Sequence, residues 1–316
     1  MKKALLPLLI ASILPATAFA DVVVYGKANV AWQYTDKNGT DATYTEVVNH
    51  ASRIGLKGGE AINDDLKAIY QFEYEAKPDD GNGPFSQRNI YVGLKGSAGT
   101  ATIGMFDTPL KLAQEKVDVF NDTIGDLKYV IEGEVRAKNI VQYSSPAFSN
   151  VTVNVALVNA EQDVTNAKDG YSASVVYDTK QLYLALAADS NSLIASNKSA
   201  TPPAADTEIM RAVARVVTGP VVLGAMYETY DNGTVDEDGF LGSVLWKLNS
   251  DWALKAQYIQ SDMIHNGNTS ASIGADYKLS KATKVYGYAT KIDDDRAAVA
   301  SRADDTYIGV GMELNF

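Results

Sequence analysis

The last eleven residues of the chain, 306–316, most restrict the fold that it can adopt. Ile308, Val310, Met312, Leu314 and Phe316 alternate with Tyr307, Gly309, Gly311, Glu313 and Asn315. Such alternation is typical of a β-strand with one apolar face. A chain that ends on a strand is explained if that strand pairs with the first one, because a sheet closed into a barrel has no unpaired edge. Residues 306–316 therefore predict a closed barrel.

The same two-residue period recurs along the chain, and helical periodicity is almost absent. In residues 65–75 the apolar members are Leu66, Ala68, Tyr70, Phe72 and Tyr74, and the opposite members include Lys67, Gln71, Glu73 and Glu75. Residues 22–34 behave alike, with Val24 and Trp32 opposite Lys27 and Gln33. An all-β fold is predicted.

The connections between these strands alternate between short and long. Short turns are predicted near residues 59–63, 96–99, 145–150, 178–180, 218–220, 249–251 and 280–282. Long polar loops are predicted near 36–50, 77–85, 106–135, 160–169, 190–206, 230–238, 261–269 and 292–305. Seven turns and eight loops join sixteen antiparallel strands, which is the pattern of an outer-membrane β-barrel with short periplasmic turns and long outer loops. A soluble β-sandwich is the alternative, but its turns would not sort by length.

The first twenty residues are predicted to be a secretory signal peptide that is removed. Lys2 and Lys3 precede an apolar stretch, and Ala18-Phe19-Ala20 forms a cleavage site. The mature chain, 21–316, is predicted to be a single barrel domain.

Composition excludes several classes of protein. The chain has no cysteine and a net charge of −11, which becomes −13 once Lys2 and Lys3 are removed. An acidic protein of pI 4.7 is not expected to bind nucleic acid. Its two histidines, His50 and His265, fall in or beside predicted loops, so we predict no catalytic triad, metal site or cofactor. The acidic loop clusters at 231–238 and 293–295 are interpreted as solvated surface, with divalent cation binding as the alternative.

Five short motifs, in this order, resemble those of the Gram-negative general porins. They are VYGK at 24–27, SRIGLKG at 52–58, YVGL at 91–94, GTATIG at 99–104 followed by DTP at 107–109, and RAKNIVQYSSP at 136–146. The terminal Phe316 is similar to the assembly signal of that family. One departure is Met105, where the family often has an arginine.

The resemblance implies a homotrimer of sixteen-stranded barrels in the outer membrane, in contact with lipid and lipopolysaccharide. Each barrel would be a water-filled channel for small hydrophilic solutes, narrowed by a third loop that folds inward. Residues 106–135 fit that loop, since they form the longest connection and carry seven carboxylates against three lysines.

Passive diffusion with a mild cation preference is the predicted function. Asp118, Asp122 and Asp126 are the candidates for the acidic side of the constriction, opposite the wall cations Lys27, Arg53, Arg88 and Arg136. Facing charges of opposite sign orient water and dipolar solutes. For each cation the alternative is a solvated charge at the barrel rim. For the whole chain the alternatives are a substrate-selective channel, for instance for sugars, and an outer-membrane barrel enzyme.

Overall fold

The protein is described here by a computed structural model. It describes residues 22–38, 42–79, 85–160, 168–191, 207–263, 268–294 and 303–316. These residues form one antiparallel sheet closed on itself. Within them no helix is long and apolar enough to cross a membrane. The predicted signal peptide and its cleavage site before Asp21 lie outside the described residues, as does His265.

The sheet contains seventeen strand segments, numbered in chain order. They are β1 (Val23–Lys37), β2 (Ala42–Asn49), β3 (Arg53–Ala61), β4 (Lys67–Glu75), β5 (Ser86–Gly96), β6 (Gly99–Asp107), β7 (Arg136–Ser144), β8 (Val151–Val158), β9 (Gly170–Asp178), β10 (Leu182–Ser190), β11 (Glu208–Thr218), β12 (Val221–Asp231), β13 (Asp236–Lys247), β14 (Trp252–Ser261), β15 (Asn268–Lys278), β16 (Thr283–Asp294) and β17 (Ala303–Asn315).

Segments β2 and β3 are two parts of one barrel strand. Both pair with β1, β2 along its second half and β3 along its first. The break falls at residues 50–52, where Ala51 adopts φ 53°. There Ser52 exchanges hydrogen bonds with Asn29: its Oγ accepts the Asn29 N–H at 2.9 Å and donates to the Asn29 carbonyl at 3.1 Å. The barrel therefore has sixteen strands, which confirms the prediction.

The last strand closes the barrel against the first. β17 pairs with β1 from Lys27 opposite Asn315 to Lys37 opposite Asp305. Gly26 and Phe316 extend the pairing with two backbone hydrogen bonds, of 2.9 and 3.1 Å. Val310 is 59% exposed on the outside, whereas Tyr307 is buried on the inside. The alternation in residues 306–316 thus separates an apolar exterior from the interior, as the sequence predicted.

Two predicted long loops are mostly strand. Residues 36–50 were expected to be a loop, yet β1 continues to Lys37 and β2 begins at Ala42. Residues 42–48 are rich in Thr, Tyr and Val, whose branched and aromatic side chains suit a strand. Similarly, β12 and β13 are joined through residues 232–235, where Gly233 at φ 77° and the Asn232 side chain make a tight turn. Six of the seven short turns lie where they were predicted, and the first lies at 62–66, slightly later than the predicted 59–63.

Candidate functional site

The connection between β6 and β7, residues 108–135, folds into the barrel and is called the inner loop below. It begins with helix α1 (Pro109–Ala113), which Thr108 caps by accepting the Lys111 N–H at 3.3 Å. Pro109 suits the first helical turn because its missing N–H has no partner there in any helix. A second turn, the 3-10 helix Leu127–Tyr129, is capped by Asp126, whose side chain accepts the Lys128 N–H at 2.9 Å.

Apolar packing holds the inner loop against one side of the barrel interior. Its side chains Leu110, Val117, Leu127, Val130 and Ile131 are at most 1% exposed. They form one cluster with inward side chains of β10 to β14, which include Ile209, Val213, Met226, Leu241 and Ile259. Complete burial of one such side chain contributes about 1.5–3 kcal/mol. The loop is therefore a packed part of the barrel, and the predicted inward fold is confirmed.

The wall behind the inner loop was not identified from the sequence. The inner face of β11 carries the apolar Ile209 and Val213 as well as two arginines, so apolar and polar residues do not sort cleanly by face there. Apolar side chains on an inner face need an internal partner, and the inner loop is that partner. This mixed inner face is the signal that could have located the wall.

At the tip of the inner loop, Asp122 lies between two wall cations. Its Oδ2 is 2.6 Å from Lys27 Nζ and 2.6 Å from Arg53 Nη2. The Asp122 carbonyl is 3.1 Å from His50 Nδ1, and its backbone has φ 68°. Burial of Asp122 favours its neutral form, but Lys27 and Arg53 stabilise the charged form more strongly. The pKa of the Asp122 carboxyl is therefore lowered to about 2.

The other two predicted loop carboxylates have different surroundings. Asp126 accepts the backbone N–H of Asp122 at 2.8 Å and lies 3.3 Å from Lys128 Nζ. Asp118 is buried between loop and wall, where it accepts hydrogen bonds from the Phe120 and Leu127 N–H groups and from Gln257 Nε2. Burial, together with the nearby Asp126 charge, raises the pKa of Asp118. Asp118 thus braces the loop, and it is absent from the lining of the main cavity.

Arg88 and Arg136 lie on the same barrel wall as Lys27 and Arg53, opposite the inner loop. Arg88 Nε lies 2.8 Å from Glu73, and its Nη1 lies 3.3 Å from Glu75. Arg136 Nη2 lies 3.1 Å from Asp107, which also contacts Lys111 Nζ at 3.1 Å. Lys27, Arg53, Arg88 and Arg136 all face the interior, and each is paired with a carboxylate.

A cavity of about 650 Å³ separates the inner loop from this wall. Its charged lining consists of six basic residues and seven acidic ones: Arg53, Arg88, Lys111, Lys116, Lys128 and Arg136 against Glu75, Asp79, Asp107, Glu115, Asp122, Asp126 and Glu134. The acidic excess of the loop, read from the sequence, is therefore almost cancelled by the wall.

Among the described residues, no group of three or more His, Cys, Asp or Glu side chains is arranged to hold a metal ion. His50 lies between the Asp122 carbonyl and the Tyr288 hydroxyl, the latter at 3.2 Å. Its ring therefore supports the loop tip.

Comparison with known proteins agrees with this architecture. A family model described as Gram-negative porin matches residues 7–297. The major outer membrane protein P.IB of Neisseria gonorrhoeae is 29% identical over 195 residues, which are 58% of this chain and 55% of that protein. The chain thus spans about half the length of the curated relatives that it matches.

Solved structures show the same fold at low sequence identity. An anion-selective porin from Comamonas acidovorans superposes with a TM-score of 0.75 at 18% identity, covering 94% of this chain and 100% of that one. The OmpT protein of Vibrio cholerae, folded in vitro and in its trimer form, superposes with a TM-score of 0.65 at 15% identity, covering 95% and 100%. At such identities the likeness concerns the fold alone.

Proposed function

This chain belongs to the Gram-negative porin family and is an outer-membrane protein, and from that premise we propose that it is a passive diffusion channel. Ions and small hydrophilic solutes would cross the membrane through the space between the inner loop and the wall of β1 to β7. Three such barrels would form a homotrimer, with the apolar exterior in contact with lipid and lipopolysaccharide.

One observation carries this proposal: a charged cavity inside a closed barrel whose outside is apolar. The cavity is bordered by the loop carboxylates Asp122 and Asp126 on one side and by Arg53, Arg88 and Arg136 on the other. Charged groups are tolerated on the inner face of a barrel strand, whereas a cation on the lipid face costs about 2–4 kcal/mol at mid-membrane. Such a lining suits hydrated solutes and disfavours apolar ones.

The expected ion selectivity is a mild preference for cations. The cavity lining has one more carboxylate than it has cations, and the whole chain carries a net charge of −11. Exposed charges far from the cavity contribute little, because the Debye length is about 8 Å at physiological ionic strength. The selectivity therefore depends on the few side chains that border the cavity, and their near balance keeps it small.

The two alternative functions receive less support from the described residues. A sugar-selective channel needs a series of aromatic side chains along the path, and Tyr129 is the one Tyr, Trp or Phe among the described residues that line the cavity. A barrel enzyme needs a nucleophile next to a base, and His50 contacts a carbonyl and a phenol instead.

Planar-bilayer recording of the purified protein tests the proposed function. We expect stepwise openings in groups of three and, in a KCl gradient, a small reversal potential of the sign for cation preference. Ohmic currents that grow with the concentration of protein but lack discrete steps would contradict a channel of this kind. Discrete single openings would contradict only the trimer.

A further inference from the structure

A fully buried cation ties the base of the inner loop to the barrel wall. The Arg211 side chain on β11 has 0% exposure, and so does its cross-strand neighbour Glu228 on β12, with which it forms an ion pair. The other wall cations differ, since the side chains of Lys27, Arg53, Arg88 and Arg136 keep 10–21% exposure. Arg211 is therefore screened from the permeation path.

The guanidinium of Arg211 contacts both arms of the inner loop. On the outgoing arm, Nη1 donates to the Leu110 carbonyl at 3.3 Å. On the returning arm, Nη2 donates to the Glu132 carbonyl at 3.2 Å, and Nη1 donates to Glu134 Oε1 at 3.0 Å. One planar group thus joins two loop segments that are more than twenty residues apart in the chain, which a point-like ammonium group cannot do in the same geometry.

The chain around Arg211 is shaped for this contact. Gly133 has φ 82°, and a Cβ added there would lie 3.0 Å from Arg211 Nη2 and 2.7 Å from Leu110. Glu134 is held on its other oxygen by Gln114 Nε2 at 2.9 Å. Leu110 donates its N–H to Ser172 Oγ at 3.1 Å, so the same segment is fixed to β9 as well.

We propose that Arg211 is a positioning residue of the channel, which sets the place of the inner loop and thereby the width of the constriction. A buried ion pair is weak evidence for a contribution to stability, because its replacement by well-packed apolar residues is often neutral or stabilising. The apolar cluster alone gives the loop an attractive surface but little directional preference. The Arg211 fork supplies direction, since its three hydrogen bonds to the loop are satisfied in one arrangement only.

The decisive variant is Arg211→Met combined with Glu228→Leu, which removes both members of the ion pair, so that neither is left buried without the other. Glu134 still has Gln114 and borders the cavity. We expect a barrel that remains heat-modifiable, with open-channel current noise increased several-fold and additional conductance levels. Lys284→Gln is the matched control: it removes a wall cation that pairs with Asp276 and Glu313 and has no ion pair with the inner loop. It should leave the noise unchanged.

A folded double variant with the noise and conductance of the parent would overturn the proposal. If the double variant does not fold, Arg211→Lys decides, because it keeps the charge but loses the fork: raised noise supports the proposal, and parental noise overturns it. The inference rests on the proposed channel function only where current noise and conductance are the measured quantities. Hydrogen–deuterium exchange of residues 108–135 reports the same loosening without any current, so failure of the channel function in the parent and failure of the Arg211 proposal can be distinguished.

Discussion

Neutralising Asp122 is expected to reverse the ion preference of the channel. Asp122, Lys27 and Arg53 together carry a net charge of +1, and Asp122→Asn raises it to +2 without changing the shape of the side chain. Asparagine also accepts the left-handed backbone of residue 122, where φ is 68°. The variant therefore tests charge with little added strain.

The size of the effect follows from the distance at which an ion passes. A unit charge 4 Å from a permeating ion contributes about 1 kcal/mol in water and about 4 kcal/mol at an effective dielectric constant of 20. The water value applies best to an open cavity. At that value, the loss of the Asp122 charge disfavours a cation about fivefold and favours an anion about fivefold. The ratio of anion to cation permeability should therefore increase by up to roughly 30-fold.

Reversal potentials in KCl gradients measure this ratio directly. The shift toward anions should be large near 0.1 M salt, where the Debye length is about 10 Å, and small near 1 M, where it is about 3 Å. Asp118→Asn is the matched control, because it makes the same substitution at a buried carboxyl whose pKa is raised and which lies outside the lining of the cavity. A reversal potential in Asp122→Asn equal to that of the parent at 0.1 M would refute the role of Asp122 in selectivity.

Four further predictions concern pH, assembly, packing and maturation. Because the pKa of Asp122 is lowered to about 2, this carboxyl stays charged above that pH. The difference in reversal potential between the parent and Asp122→Asn should therefore persist from pH 7 down to pH 4. Disappearance of that difference above pH 4 would contradict the ion pairs of Asp122. Phe316→Ser keeps the backbone bonds to Gly26 but removes the exposed ring, so the yield of folded, heat-modifiable barrel in outer membranes should fall, and equal yields would exclude an assembly role. Phe120→Ala removes a ring with 0% exposure that packs on Ala31, Tyr286 and Tyr288. It should destabilise the loop tip by about 3–5 kcal/mol, which proteolysis within the inner loop would report as faster cleavage. The control Leu112→Ala, at an exposed position, should have little effect. N-terminal sequencing of the exported protein should start at Asp21, and a start at Met1 would show that no signal peptide is removed.

Some structural signals lie within single strands, and these were visible in the sequence. The inward position of Lys27 and Arg53 follows from the alternation in their own strands, because successive side chains of a strand point to opposite faces. The seven short turns were found where polar residues and glycine interrupt that alternation. The extension of β1 and β2 into the predicted loop at 36–50 was missed, because polar Thr and Tyr residues are equally compatible with a loop and with a long hairpin.

What the sequence determined by itself was the closed sixteen-stranded barrel, its apolar exterior and the long connection at 106–135, since these depend on a local two-residue period and on the spacing of turns. The inward fold of that connection was implied by the resemblance to the porins. Only the tertiary structure decided which charges meet. Asp118, Asp122 and Asp126 are equivalent by composition, yet Asp122 alone reaches Lys27, 95 positions away in the chain, while Asp118 is buried against Gln257, 139 positions away. The Arg211 contacts likewise join residues that are 77 to 101 positions apart. Such pairings depend on how the loop packs across the barrel, and no local pattern in the sequence encodes that distance.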